Sequence, residues 1–235
     1  METNVIYNEN CLEGMKKLPD NSVDMLLTDV PYGEVNRAKE SGLRKLKKGD
    51  ADIVAFNLQE LLREVYRIVS GSFYIFCGIE QISPIRKFFR KKDLLTRNFV
   101  WSKSNPSPIH GQHNWLSSVE NGVYAKKSGA TFNRHCKGVV WEYPVGSSKI
   151  HPTQKPLKLF QYLIESSSNE GDLILDPFIG SGTTAVASLS LNRKFIGYEI
   201  NKKYYNLSLK RIGKFDKKYY KELPEEERPA QQQLF

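Results

Sequence analysis

Cysteine is scarce in this chain of 235 residues, and the little there is does not pair. Cys11, Cys77 and Cys136 form no CxxC unit, and three thiols cannot all be joined in disulfides, so a disulfide scaffold is excluded and a reduced compartment is expected. Histidine is also thin, at four residues, which argues against a structural zinc site. No apolar stretch approaches the ~20 residues that a membrane span requires. The opening Met1-Glu2-Thr3-Asn4-Val5 lacks a basic n-region and an apolar h-region, so secretion is not expected and a cytoplasmic location is. No internal repeat is visible.

What the chain does have is an ordinary globular make-up, 40% hydrophobic and 11% aromatic, and enough length for one domain with a full core. Its net charge of +9 is unevenly spread. Arg37, Lys39, Arg44, Lys45, Lys47 and Lys48 form one basic cluster; Arg86, Lys87, Arg90, Lys91 and Lys92 form another. Such clusters suit a phosphate backbone, and each by itself equally suits a solvated face.

Hydrophobic patterning alternates between two periods. Short strands are predicted near 4–7, 23–28, 73–77, 99–101, 173–175 and 194–198, with an edge strand at 119–125. Helices are predicted over 12–18, 53–69, 81–92 and 156–167, from about 183, and over 202–212, with Ser70-Gly71 ending the second of them. Residues 33–52 read as a mobile basic loop, 126–150 as irregular, and the charged tail from 214 as disordered. Strands alternating with helices indicate an α/β fold with a doubly wound, mainly parallel sheet. The domain is placed at 1–213.

Two polar loops follow buried strands in this scheme. Asp29-Val30-Pro31-Tyr32 comes after 23–28, and Asp176-Pro177-Phe178-Ile179-Gly180-Ser181-Gly182-Thr183-Thr184 after 173–175. In open α/β sheets the carboxyl ends of the strands are where ligands bind. A strand, a glycine turn and a helix bring backbone N–H groups close to a ligand. Gly180 and Gly182 supply that turn, but Gly-x-Gly is not the full GxGxxG, so a bound pyrophosphate is not expected. Glu199 ends the next strand, 17 positions after Gly182, close to the spacing of about 20 at which an acid meets ribose hydroxyls. Asp29 offers a carboxylate beside the flat ring of Tyr32, a suitable pocket for a base.

The segments DVPY, HPTQKP (His151 to Pro156), DPFIGSGTT and GYEI resemble the beta group of S-adenosylmethionine-dependent DNA amino-methyltransferases, in which the catalytic motif likewise precedes the cofactor motif. The resemblance runs from residue 4 to 212 and implies a Rossmann-like methyltransferase fold with a short inserted target-recognition region. It implies that Asp176, Phe178, Gly180, Ser181, Gly182 and Thr183 hold the methionine end of the cofactor and that Glu199 takes the ribose. Asn10, with Cys11, would stand near the adenine, and the stretch from His151 through Thr153, Gln154 and Lys155 would close over the site. Lys155 would offer a cation to the cofactor carboxylate. No metal is required. Two positions depart from the family pattern: Asn10 where Asp is usual, and Val30 where Pro is usual.

An exocyclic base amine is a poor nucleophile because its lone pair is delocalised into the ring. The resemblance assigns Asp29 and the backbone carbonyl of Val30 to accept its hydrogens. Pro31 keeps Val30 extended, and Tyr32 gives a face for a base swung out of the duplex. Asp at the first position looks like the adenine-N6 enzymes and leaves cytosine N4 or an RNA substrate as the alternative. A silent DNA-binding relative that keeps the fold is the rival from another class. Target choice is assigned to 126–150, assisted by 33–52 and 105–115, with Arg134, His135, Lys137 and Lys149 as candidate contacts; Trp141 and Tyr143 serve equally as packing. The short recognition region points to a short target or a homodimer. The final Gln231-Gln232-Gln233-Leu234-Phe235 resembles the QxxLF peptides that bind the bacterial sliding clamp. The whole reading is a methyltransferase of a bacterial or phage-infected cell, acting on double-stranded DNA.

Overall fold

A computed structural model describes residues 1–32, 56–108, 111–146 and 154–227. The expected basic loop at 33–52, Thr153 with its neighbour His151, Lys149 and the terminal QxxLF segment lie outside the described residues. Among the described residues eight strands form one sheet: β1 (Val5–Tyr7), β2 (Val23–Asp29), β3 (Val69–Cys77), β4 (Leu95–Lys103), β5 (Val119–Lys126), β6 (Val140–Tyr143), β7 (Leu173–Asp176) and β8 (Lys194–Tyr198). Their order is β1-β8-β7-β2-β3-β5-β4-β6. The pairs β1–β8, β8–β7, β7–β2, β2–β3 and β4–β6 are parallel, while β5 runs antiparallel to both β3 and β4.

Helices cover both faces, as the alternation of side chains along the central strands requires. Leu26 on β2 and Phe73 and Ile75 on β3 face a cluster with Leu61, Leu62, Ile85 and Phe89 from α2 (Leu58–Ile68) and α3 (Ile79–Arg90). Their neighbours Met25, Leu27, Tyr74 and Phe76 point the other way, onto Leu159, Phe160 and Leu163 of α4 (Leu157–Ser167). Helices α5 (Thr183–Ser190) and α6 (Lys202–Gly213) extend that second layer beneath β8. A short α1 (Cys11–Met15) follows β1. Among the described residues no helix is long and apolar enough to cross a membrane.

Several expectations need correction. The predicted helix stop Ser70-Gly71 lies inside β3, because α2 ends at Ile68 and the strand starts at once. Ser70 Oγ donates to the Val23 carbonyl, and a Cβ on Gly71 would stand 2.1 Å from the Asp24 carbonyl oxygen, so both residues serve a close strand contact. Strand β5 is interior rather than at the edge, since β4 folds back along its outer side. The stretch expected to be irregular contains β6, which forms the edge instead. The tail expected to be disordered is ordered through residue 227 as two 3-10 turns, Lys217–Glu222 and Glu225–Glu227. Buried Tyr219 and Leu223 anchor it, and the Tyr219 hydroxyl donates to the Asn4 carbonyl at 2.8 Å. Two apolar anchors outweigh its charged composition.

Candidate active site

The carboxyl ends of β2, β7 and β8 deliver Asp29, Asp176 and Glu199 to one cleft of about 520 Å³. Asp176 is buried and fully engaged: Oδ1 accepts from the Thr28 hydroxyl at 2.7 Å and the Phe178 N–H at 3.1 Å, and Oδ2 accepts from the Thr184 hydroxyl. Burial pushes its carboxyl up to about 6 while these donors pull it back. Asp176 therefore shapes the turn from inside. Beyond it Gly180 and Gly182 adopt φ of +50° and +76°, the left-handed region that glycine enters without strain. Gly182 is the N-cap of α5, and Gly180, Ser181, Thr183 and Thr184 line the cleft at that helix start.

Glu199 is tied to the same turn. Its Oε2 accepts from the Gly180 N–H at 3.1 Å and its Oε1 from the Asn201 N–H at 2.7 Å. Burial raises its carboxyl, and the two backbone donors oppose that rise. Asn10 caps α1 by accepting from the Leu12 N–H at 2.9 Å, a task for which the amide oxygen suffices. The neighbouring Cys11 thiol is pushed up to about 12 by burial and stays protonated. Phe178 stands against Phe56 with ring centroids 5.1 Å apart at the cleft wall.

At the other end, the Val30 N–H donates to the Phe76 carbonyl at 3.1 Å, so the chain leaves β2 still in register with β3. The Pro31 carbonyl accepts from Gln81 Nε2 at 3.0 Å, and Gln81 Oε1 accepts from the Gly78 N–H at 2.9 Å. The first turn of α3 thus holds the loop carrying Tyr32. The Tyr32 hydroxyl donates to Asp29 Oδ1 at 2.7 Å. Lys155, 6% exposed, forms an ion pair with Asp29 Oδ2 and a second with Glu120 at 2.9 Å. Lys103 pairs with Glu120 at 2.9 Å. Burial raises the Asp29 carboxyl, with Lys155 opposing; burial opposes the charge on Lys155, but its two carboxylate neighbours hold it above the ordinary lysine value.

The cleft therefore brings together Asn10, Cys11, Asp29, Val30, Pro31, Tyr32, Gln154, Lys155, Asp176, Phe178, Gly180, Ser181, Thr183 and Glu199. Gly182 backs the turn from behind, beside Ser208 of α6. Lys155 lines the cleft with its ammonium held by two protein carboxylates. Of the recognition candidates, Arg134 pairs with Glu165 at 2.9 Å, and Trp141 packs on Phe99 with centroids 5.1 Å apart. Sequence reasoning missed Gln81, Glu120, Lys103 and Arg211. Arg211 donates to the Ser181 carbonyl at 3.1 Å and the Thr183 hydroxyl at 2.9 Å. The available signal was Glu120, a lone acid near the start of the strand run 119–125.

Comparison with known proteins decides the family. The model of a family described as DNA methylase matches residues 23–210. The chain belongs to the DNA methylase family. It is 32% identical to the type II methyltransferase M.HpaI of Haemophilus parainfluenzae, covering 86% of this chain and 72% of that protein. It is also 32% identical to the DNA adenine methyltransferase YhdJ of Escherichia coli K12, over 90% of this chain and 83% of the relative. The crystal structure of the M1.HpyAVI–SAM complex superposes with a TM-score of 0.69 at 29% identity, covering 88% of this chain and 98% of that one. The cytosine-N4-specific PvuII DNA methyltransferase, at 17% identity and a TM-score of 0.66, shares the fold. Thus the doubly wound methyltransferase fold expected from the sequence is the one found.

Proposed function

We propose that this DNA methylase transfers a methyl group from S-adenosylmethionine to the N6 amine of an adenine swung out of double-stranded DNA. One observation carries the reading: the Asp29 carboxylate and the Tyr32 ring stand in the same cleft as the glycine turn and Glu199. Likeness to the adenine methyltransferase YhdJ favours adenine over cytosine.

The cleft residues fit the cofactor. Its adenosine hydroxyls call for an acceptor, and Glu199 is a carboxylate at the cleft surface held in place by two backbone donors. Its amino-acid end calls for small polar groups at a helix start, which Gly180, Ser181 and Thr183 supply. Gln154 adds a buried Oε1 with no hydrogen-bond partner among the described residues. Asn10, Cys11 and Phe178 complete the proposed binding set, with Thr153 assigned from sequence. Bound there, the cofactor supplies an electrophilic methyl on a sulfonium.

The chain's own groups do the rest. Tyr32 offers the flipped base a stacking face, and Asp29 Oδ1 and the Val30 carbonyl accept the amine hydrogens. Accepting them turns the nitrogen lone pair out of conjugation. As the new N–C bond forms, the methyl's bond to sulfur breaks with its electron pair left on sulfur, and the nitrogen's surplus proton passes to Asp29 and then to water. Catalysis is positioning plus electrostatics. Residues 126–150, with 33–52 and 105–115, are proposed to read the target. Docking of Gln231–Phe235 on a bacterial sliding clamp, pairing of two subunits on one site and a cytoplasmic, restriction-modification setting complete the proposal. They are supported by the tail sequence, the short recognition region and the type II relatives respectively.

The test is transfer of labelled methyl from S-adenosylmethionine to unmethylated genomic DNA, followed by nucleoside mass spectrometry. N6-methyladenine is expected. N4-methylcytosine would change the base, and no methylated nucleoside despite cofactor binding would overturn the reading.

A further inference from the structure

Lys155 poses a problem that the reaction alone does not solve. A lysine this buried beside the acceptor carboxylate is expensive to hold, and breaking one partner of such a pair is worse than never having built it. The chain builds it anyway, and extends it: Asp29, Lys155, Glu120 and Lys103 alternate in sign along a line of contacts. Glu120 lies on β5 and Lys103 ends β4, both within paired sheet. Asp29, by contrast, is the last residue of its strand, and its Oδ1 accepts from the Tyr32 hydroxyl and has a second lone pair for a base amine.

We propose that Glu120 is a positioning residue for methyl transfer. It anchors Lys155, through which the rigid sheet grips Asp29 Oδ2 and aims Oδ1 at the base amine, while Lys103 balances the second carboxylate. This rests on the functional reading above and changes the part played by Lys155 from cofactor contact to support of the acceptor. The walls of the lysine slot agree, since its ammonium lies 5.4 Å from the Phe76 ring centre and 5.7 Å from that of Tyr32. The groups facing Asp29 are Tyr32 from its own loop, Lys155 ahead of α4, Glu120 from β5, Cys77 from the end of β3 and Asp176 from the end of β7. Of these, Lys155 favours the ionised carboxylate through its charge, and Glu120 opposes it through its charge.

That opposition gives a test with opposite signs. In the full chain labelled with 13C at aspartate Cγ, the Asp29 resonance is identified by its loss in Asp29→Asn and titrated. Glu120→Gln is expected to move the Asp29 midpoint to lower pH, whereas Lys155→Met and Lys103→Met move it to higher pH. Single-turnover methyl transfer near neutrality falls roughly 10- to 100-fold in Glu120→Gln and Lys155→Met, as loss of aim predicts. The S-adenosylmethionine Kd from calorimetry stays unchanged, which also shows that the variants are folded. An unmoved midpoint in Glu120→Gln, shifts of one sign in all three variants, or a weakened Kd with an intact rate would each overturn the proposal. Should the unmodified protein methylate no DNA, the functional reading fails by itself, while the titration still decides the linkage.

Discussion

Tyr32 donates its phenolic hydrogen to Asp29 Oδ1 across 2.7 Å, so the proposed stacking face and the proposed amine acceptor are tied to each other. Burial, aided by the carboxylates of Asp29 and Glu120, holds the phenol well above its ordinary value, so it remains a donor at every working pH. A base entering the pocket shares this oxygen with the phenol, since an ionised carboxylate oxygen offers two lone pairs.

The ring and the hydroxyl of Tyr32 should therefore separate on mutation. Tyr32→Phe keeps the stacking surface and frees Oδ1, so methyl transfer should stay within about tenfold of the unmodified protein, a hydrogen bond's net worth being modest. Tyr32→Ala loses the platform and should cost more than roughly 100-fold in single-turnover rate, with cofactor affinity retained. Equal losses in the two variants would show that the hydroxyl, not the ring, matters.

Asp29→Asn should abolish most turnover, on the order of 100-fold or more, because the amide cannot offer two acceptor oxygens or take a proton. Binding of S-adenosylmethionine should survive. In the unmodified protein the single-turnover rate should climb with pH through a midpoint above the ordinary aspartate value, since burial disfavours the carboxylate that the chemistry needs. A rate independent of pH across the acid range would place the acceptor elsewhere.

Glu199→Gln keeps an oxygen for the Gly180 N–H but loses the charge and one acceptor. Cofactor Kd should weaken by roughly 10- to 100-fold, the worth of hydrogen bonds to a charged group. Rate at saturating cofactor should change little. Calorimetry returning the same Kd would remove Glu199 from the ribose site.

How much of this was legible in the sequence depends on the distance over which each feature is decided. Strands β2 and β7 are buried on both faces, so their apolar runs announce them, and the polar residues that end them announce the site. The glycine turn is equally local. Strand order is not: β5 reads as an edge strand because nothing in 119–126 records that β4 lies outside it. Ser70-Gly71 reads as a helix stop because the Asp24 carbonyl it must clear lies on another strand. The ion pair of Lys155 with Asp29 could not be read, because its partner is 126 positions away. Arg211 likewise escapes notice, 30 positions from the Ser181 it braces.

Gly182 has a backbone reason to be glycine. Its φ of +76° costs an ordinary side chain about 1–2 kcal/mol, and a Cβ would stand 3.2 Å from the Ser208 Cβ. Gly182→Ala should lower unfolding free energy by at least that order and weaken cofactor binding, because the start of α5 must shift. Urea denaturation and calorimetry read the two effects. A stable variant with the unmodified Kd would mean that the turn tolerates displacement.

Asp176 makes a prediction about stability against pH. Its carboxyl titrates near 6 when folded, against about 3.9 in an unfolded chain. Between those values the folded state keeps a proton that the unfolded state has released, so raising pH through this window must lower stability, with no further loss above it. The full effect is on the order of 3 kcal/mol. Asp176→Asn is neutral in both states and removes the slope; its amide oxygen still accepts from Thr28 and the Phe178 N–H, and the Thr184 hydroxyl rotates to accept from the amide. Urea unfolding at about pH 4.5 and pH 6.5 should show the unmodified protein losing more stability than the variant over that interval. Most of the difference belongs to Asp176, because the other carboxylates titrate in both proteins and Asp29 and Glu199 are shifted only by the loss of its charge. Parallel pH profiles would mean that Asp176 is ionised throughout, held so by its three donors despite its burial.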